Sequence, residues 1–389
     1  LTKVILIFLG VGFISSLSGA YLTHTATPSL AFFNFARRLE YLIPFFAAVY
    51  LSADEHNLRF FLKLLLPIAA AVFFYGLAQL YLHAPVISTQ NEEFAKGYAL
   101  TLQPGVNLSS TFAGHYDLAA YLTMTLILGA ALLFTYKHRL VKFFHGLLLL
   151  CLFWLQLQTG SRITFFTTVL ALTFLFWFLK RKVFIFLVIL LSFIGILTTP
   201  ALAGRFSQLI KVFEFSRLEQ KVKGVFDSRR SLIPIAFALE SKIVSPTPTI
   251  AAPPPPQGAI QEDRSTSILF DVVWPRAIRA LYKNPFFGTG YSSITLATDN
   301  DFLRALGETG LLGLLSFLTI FIALAANYLS ALKANLSTLK RNLILSNLLI
   351  LLSFLVIAVF LDIFESSKPA ILFWMLAGLA YTPTIKLTK

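Results

Sequence analysis

Asp299, Asn300 and Asp301 stand directly before an apolar run, and Arg304 and Glu308 follow at helical spacing. A carboxylate there can take the proton from an acceptor hydroxyl, while the free amides of a helix N-terminus attract an anion. Asp299 is the candidate base, with Asn300 beside it, and it must face an acceptor because its charge repels phosphate. The same residues have a purely structural reading, in which Thr298 or Asp299 is the helix N-cap and Thr298 with Asp301 forms a capping arrangement. Glu308 lies four residues after Arg304, the spacing of an ion pair that orients the arginine. Gly307, Gly310 and Gly313 repeat at the spacing of close helix packing. Gly288 and Gly290, after Asn284 and Pro285, suit a turn that sets residues 291–300 over whatever lies beneath.

A transferase acting outside the cytoplasm lacks nucleotides, so its donor must arrive already activated, and a sugar on a polyprenyl pyrophosphate meets that need. Pyrophosphate leaves readily. The protein then has to supply fixed positive charge for the leaving phosphates and a base for the acceptor. Arginine suits the first task because its planar fork donates two hydrogen bonds at once. Arg162 follows Thr159, Gly160 and Ser161 between two apolar runs, and Arg264 and Arg276 flank an amphipathic stretch over 265–283, where Asp263 or Asp271 are alternative partners. Arg37 and Arg38 read as interfacial anchors. His115 with Asp117 offers a second acid/base pair, or a cap at a helix start. The candidate pyrophosphate- and glycan-binding set is therefore Arg162, Arg276, Arg264, Arg304, His115 and Glu308, beside Asp299 and Asn300 as catalytic candidates. No histidine or cysteine spacing suits a metal, no cofactor motif is present, and Cys151, the sole cysteine, reads as packing.

These residues must be held by a membrane bundle. Hydrophobic residues make up 57% of the 389, charged residues 13%, and mean hydropathy is +0.76, which excludes an ordinary soluble domain. Apolar runs over 4–22, 39–52, 60–82, 116–136, 143–158, 163–179, 183–200, 309–330, 342–361 and 368–382 read as ten spans, several of them short for a bilayer. The first reads as a span rather than a cleaved leader. With both termini inside and the 201–308 loop set aside, fourteen Lys and Arg fall on the cytoplasmic side and five on the other (Arg37, Arg38, Lys96, Arg162 and Lys368). That asymmetry accounts for most of the +14 net charge without a nucleic-acid partner. The expected fold is all-α: residues 1–200 as the first part of the bundle, 201–308 as a large extracytoplasmic loop, and 309–389 as the last part. Within the loop, apolar residues at helical spacing over 206–225 predict an interfacial or packed helix, the Pro-rich stretch 244–262 a mobile linker, and 265–283 a second amphipathic helix restarted or kinked at Pro275. Residues 284–308 carry the site.

In pattern and order, the Thr-Gly-Ser-Arg turn at 159–162, Trp274 eleven residues before the Pro285 of NPFFGTG, DNDFL at 299–303 and GETGLLG at 307–313 resemble the O-antigen ligase and O-antigen polymerase superfamily. STFAGHYDLAAYL at 110–122 is similar to its looser, earlier motif. The resemblance implies a GT-C-like helical membrane fold and an inverting, metal-independent glycosyltransferase in a bacterial inner membrane. It further implies an extracytoplasmic site, polyprenyl-pyrophosphate glycans as donors, a sugar acceptor, surrounding lipid, and glycan-export or chain-length proteins as associated partners. It also implies that Arg162 and an arginine of the large loop hold the pyrophosphate. Two positions depart from the pattern. Ligases carry His-Asn where this chain has Asp299-Asn300, which fits a polymerase or a different acceptor, and the arginine four or five residues before the Trp is replaced by Phe270 and Leu269, leaving Arg264 or Arg276 as substitutes. The competing expectations are a flippase for lipid-linked sugars, which would carry ionisable residues within spans and an internal repeat, and a non-catalytic scaffold of a glycan assembly complex.

Overall fold

The computed structural model describes residues 1–86, 100–102, 107–199, 274–294 and 298–381. Arg264, Leu269, Phe270, the 206–225 stretch and the Pro-rich 244–262 segment lie outside them. Eleven α-helices are described: α1 (Thr2–Leu17), α2 (Pro28–Leu51), α3 (Glu55–Tyr81), α4 (His115–Leu133), α5 (Arg139–Gln158), α6 (Arg162–Phe178), α7 (Lys182–Thr198), α8 (Trp274–Lys283), α9 (Asp301–Ala331), α10 (Thr338–Ile357) and α11 (Ser367–Ala380). A π-helical turn, Ser18–Leu22, extends α1. The described β structure is one antiparallel pair of two-residue strands, β1 (Pro85–Val86) with β2 (Leu100–Thr101).

Every helix but α8 coincides with one of the ten apolar runs. Six are long and apolar enough to cross a bilayer: α1 with its π turn, α3, α4, α5, α9 and α10. The expectation of ten spans is thus carried by six helices. The apolar α6, α7 and α11 are shorter, and α2, at 24 residues, carries Arg37, Arg38 and Glu40 within its length. The protein is an integral membrane protein by these helices.

Helix boundaries follow local chemistry. Pro28 opens α2, where its missing N–H costs nothing, and the Asp54 carboxylate caps α3 by accepting from His56 N at 3.0 Å. Burial then sorts centre from rim: 78% of the α4 span and 67% of the α10 span are buried, against 22% for α3 and 33% for α5. The central helices α4 and α10 are tied to neighbours by polar side chains that would be costly to leave unpaired in lipid. Asn342 donates to the Ala131 carbonyl at 3.0 Å, and Thr123 and Thr168 share a hydrogen bond of 2.8 Å. Where α11 crosses α2, Gly378 lets the backbones touch, since a Cβ there would stand 2.3 Å from the Phe45 carbonyl oxygen.

Beneath the α10–α11 connection lies an aromatic cluster. Phe364 sits 5.1 Å from Phe373 and 5.6 Å from Phe317, and Phe354 stacks on Phe373 at 4.9 Å between ring centroids. Such pairs contribute about 0.5–1.5 kcal/mol each beyond area burial. They seat residues 358–366 firmly on the bundle, and that short connection organises the site.

Candidate functional site

The start of α9 and the α10–α11 connection hold each other by exchanging carboxylates. The Asp362 carboxylate accepts from Thr298 N at 2.7 Å and Asn300 N at 3.0 Å, and from Arg304 Nη1 at 2.9 Å. In return, Asp301 Oδ2 accepts from Ile363 N at 2.8 Å and Phe364 N at 3.1 Å, while Asp301 N donates to the Ala358 carbonyl. Loop amides that lack partners of their own are thereby satisfied.

Asn300 is the N-cap of α9. Its backbone is extended, with φ −164° and ψ 101°, and its Oδ1 accepts from Leu303 N at 2.9 Å. This corrects the expectation that Thr298 or Asp299 caps the helix with Asp301 as its capping partner. Thr298 N and the Asp301 carboxylate are both committed to the α10–α11 connection, which leaves Asn300 as the residue with cap geometry. Asp299 differs from both its neighbours. Its backbone is left-handed at φ 48°, a conformation Asp tolerates better than most residues, and no hydrogen bond engages its side chain among the described residues. Its carboxyl is raised above the usual range, chiefly by burial and further by the nearby Asp362, with Arg304 opposing.

Arg304 is the hub of a buried ion network. Besides Asp362 it approaches Glu308 at 3.5 Å, the i,i+4 pair that the spacing announced, and Glu365 at 3.9 Å. Glu365 also pairs with Arg38, whose guanidinium lies 5.1 Å from the centroid of the Tyr291 ring. Burial pushes the Glu365 carboxyl up, but Arg38 and Arg304 outweigh it, so Glu365 titrates below the usual range. Arg38, expected as an interfacial anchor, is instead an internal partner. Its neighbour Arg37 donates to Tyr41 Oη at 2.8 Å and to Ser367 Oγ at 3.1 Å. A cavity of about 20 Å³ among Arg38, Tyr291, Asp301, Glu308 and Glu365 has room for one water.

The Gly-rich turn is built into a break in α9. At Gly310 the backbone leaves the helix, with φ 69° and ψ −170°. Leu311 N and Leu312 N donate to the carbonyls of Pro285 and Phe286, while the carbonyls of Gly307 and Glu308 accept from Thr289 N and Gly290 N. The NPFFGTG segment thus replaces the helical partners that the break removes. Only glycine fits where the strands of chain meet: a Cβ on Gly288 would stand 2.4 Å from the Glu308 carbonyl, and one on Gly310 2.4 Å from the Phe286 oxygen. The α1 helix fastens the turn from below, with Ser15 Oγ donating to the Glu308 carbonyl at 2.6 Å and Asn284 Nδ2 to Ser18 Oγ at 2.8 Å. The glycine repeat that suggested helix packing marks this break at Gly310 and the crossing of α8 at Gly307, where a Cβ would meet the Ala277 carbonyl at 2.9 Å.

Arg276 lies half-buried on α8, the described part of which carries Pro275 in its first turn. Ala277 is the buried residue of that helix, while Ile278 is exposed. Arg162 begins α6 after Gly160, which is left-handed at φ 63° and packs on Asn107. His115 begins α4 with its ring 4.0 Å from that of Tyr116. The α4 start is tied to the end of the same connection and the start of α11, because Asp117 hydrogen-bonds Ser366 and Lys368 Nζ donates to the Thr111 carbonyl. Asp299, Asn300, Arg304 and Glu308 are therefore brought together, while His115 stands at the start of α4. Arg162 and Arg276 stand near the starts of two other helices, α6 and α8.

Asp362, Glu365 and Tyr291 escaped the sequence reading. The available signal was two carboxylates within the short LDIFESSKP connection between apolar helices, where ionisable groups are costly without a partner.

No curated protein matches the chain. Residues 146–318, which run from α5 through Arg162 and α8 to the region just beyond the Gly310 break, match the family model described as O-antigen ligase.

Proposed function

We propose that the protein is an inverting, metal-independent glycosyltransferase that polymerises or ligates polyprenyl-pyrophosphate-linked oligosaccharide on the extracytoplasmic face of a bacterial inner membrane. The coarser statement, a membrane enzyme of glycan assembly acting on lipid-linked glycan, is what the O-antigen ligase family suggests. The observation that carries the finer reading is the division of labour at 299–301. Asn300 and Asp301 are spent on structure, whereas the Asp299 carboxylate is half-buried, raised in pKa and not hydrogen-bonded among the described residues. Such a group is suited to act as a base nearer to neutral pH than an ordinary aspartate.

In this reading Asp299 takes the proton of the acceptor hydroxyl as its oxygen attacks the anomeric carbon of the donor. The bond from that carbon to the pyrophosphate oxygen breaks, and polyprenyl pyrophosphate leaves on the opposite face, which inverts the centre. Arg162, with Arg276 or Arg264, neutralises the departing charge. Arg304 and Glu308 shape the site, since three carboxylates already surround Arg304. His115 completes the glycan-facing set, and Asn300 serves it by capping α9 beside Asp299. The departure from the His-Asn of ligases favours polymerisation or an acceptor other than a lipid A core.

Reconstitution of the purified protein in vesicles with a lipid-linked repeat unit tests the reading. Longer or transferred glycan with release of polyprenyl pyrophosphate is the expected product. Translocation of the substrate without elongation would make it a flippase, and neither outcome would leave a scaffold; either result rejects the enzyme.

A further inference from the structure

We propose that Asp362 is a positioning residue for the transfer reaction: its carboxylate binds the backbone amides on both sides of Asp299 and so aims that side chain at the acceptor. The inference rests on the reading of Asp299 as the base. It stands on the geometry of one short segment. Thr298 N and Asn300 N, the amides immediately before and after residue 299, both point at the one carboxylate, at 2.7 and 3.0 Å. Two donors on alternate residues converge on one group only if the residue between them turns away, and Asp299 does so with its left-handed φ of 48°. Asp362 is itself held by Arg304 at 2.9 Å, with a side chain only 11% exposed, and its chain neighbours Ile363 and Phe364 are pinned by Asp301 and the aromatic cluster. The aim of Asp299 is therefore fixed by the α10–α11 connection, some sixty residues further along the chain.

Asp362 also acts on Asp299 electrostatically. The charged groups acting on Asp299 are Asp362 and Arg304, and Arg304 is shared with Glu308 and Glu365. Replacing Asp362 by the isosteric Asn removes a negative charge and frees more of the Arg304 charge, and both changes favour ionised Asp299. The acid limb of the pH–rate profile should then move to lower pH, a signature that a purely structural defect would not produce.

The test compares wild type, Asp362→Asn, Asp362→Ala, Asp299→Asn and the Asp299→Asn/Asp362→Asn double variant as full-length protein in vesicles, assayed with a lipid-linked repeat unit. Expected for Asp362→Asn is a fall in kcat of about 100-fold, the scale of a small misplacement of a catalytic group, with little change in KM. The double variant should be no slower than Asp299→Asn alone, because Asp362 works through Asp299. Hydrogen exchange of the peptide over 298–303 should quicken in Asp362→Asn and Asp362→Ala, while the rest of α9 stays protected. Unchanged kcat and unchanged exchange in Asp362→Asn overturn the proposal, and so does an additive loss in the double variant. If Asp299→Asn keeps full turnover, the base assignment fails by itself, and the positioning role through Asp299 is overturned with it; fast exchange in Asp362→Asn would then report a structural clasp alone.

Discussion

Two turns of this protein are built in opposite ways. At 298–308 the chain is held by charge: Asp362, Asp301, Arg304, Glu308, Glu365 and Arg38 form a partly to fully buried network in which each carboxylate binds amides or a guanidinium. At 159–164, where α5 turns into α6 ahead of Arg162, neutral groups shape the backbone. Thr159 Oγ1 donates to the Gln156 carbonyl at 2.7 Å, Thr164 Oγ1 to the Ser161 carbonyl at 3.2 Å, and Gly160 clears Asn107. The difference suggests different sensitivities. Losing one charge from the first turn strands others in low dielectric, whereas the hydroxyls of the second hold backbone carbonyls without a buried charge.

Replacing Asp299 or Arg162 by Ala should remove glycan transfer, by about 10²-fold or more for a lost base, and Asp299→Ala should do so with little change in thermal unfolding of the detergent-solubilised protein. Transfer at the wild-type rate in both would erase the functional half of the contrast. Arg304→Ala should do the reverse in emphasis. It leaves the Asp362, Glu308 and Glu365 carboxylates without their shared cation and should destabilise by about 3–5 kcal/mol, seen as a lowered unfolding temperature; Arg304→Lys should recover part of it. Gly310→Ala forces a side chain into a left-handed position 2.4 Å from the Phe286 carbonyl oxygen, and should cost about 1–3 kcal/mol by the same measurement. Asn300→Ala, which loses only the cap of α9, should cost about 1 kcal/mol. If Asn300→Ala proved as damaging as Arg304→Ala, the network would not be what holds this turn.

The two turns also differ in how far the sequence announces them. Long apolar runs reveal where helices lie, because hydrophobic content at the length of a bilayer is a local property, and every apolar run read as a span contains a described helix. The Arg304–Glu308 pair was legible for the same reason, being one helical turn apart. The clasp was not. Its partners, 298–301 and 362–364, are separated by two helices, and no local pattern states which amide a distant carboxylate will satisfy. Three good capping residues in succession, Thr298, Asp299 and Asn300, made the helix start ambiguous, and the choice fell to Asn300 only because Asp362 claims the amides around Asp299. Gly310 read as a packing residue because a helix break compensated by a remote loop leaves the same small-residue spacing as a helix crossing.

The central claim is that Asp299, kept free by the clasp around it, is the base of a glycosyl transfer. It is tested most directly by the pH dependence of transfer in vesicles for wild type and Asp299→Asn. The base works only when ionised, and its pKa is raised by burial and by Asp362, so wild-type rates should fall as pH drops through a limb above the ordinary aspartate value. Asp299→Asn should lose that limb and nearly all of the rate while remaining folded; the wild-type rate and the wild-type acid limb in the Asp299→Asn variant would contradict the account.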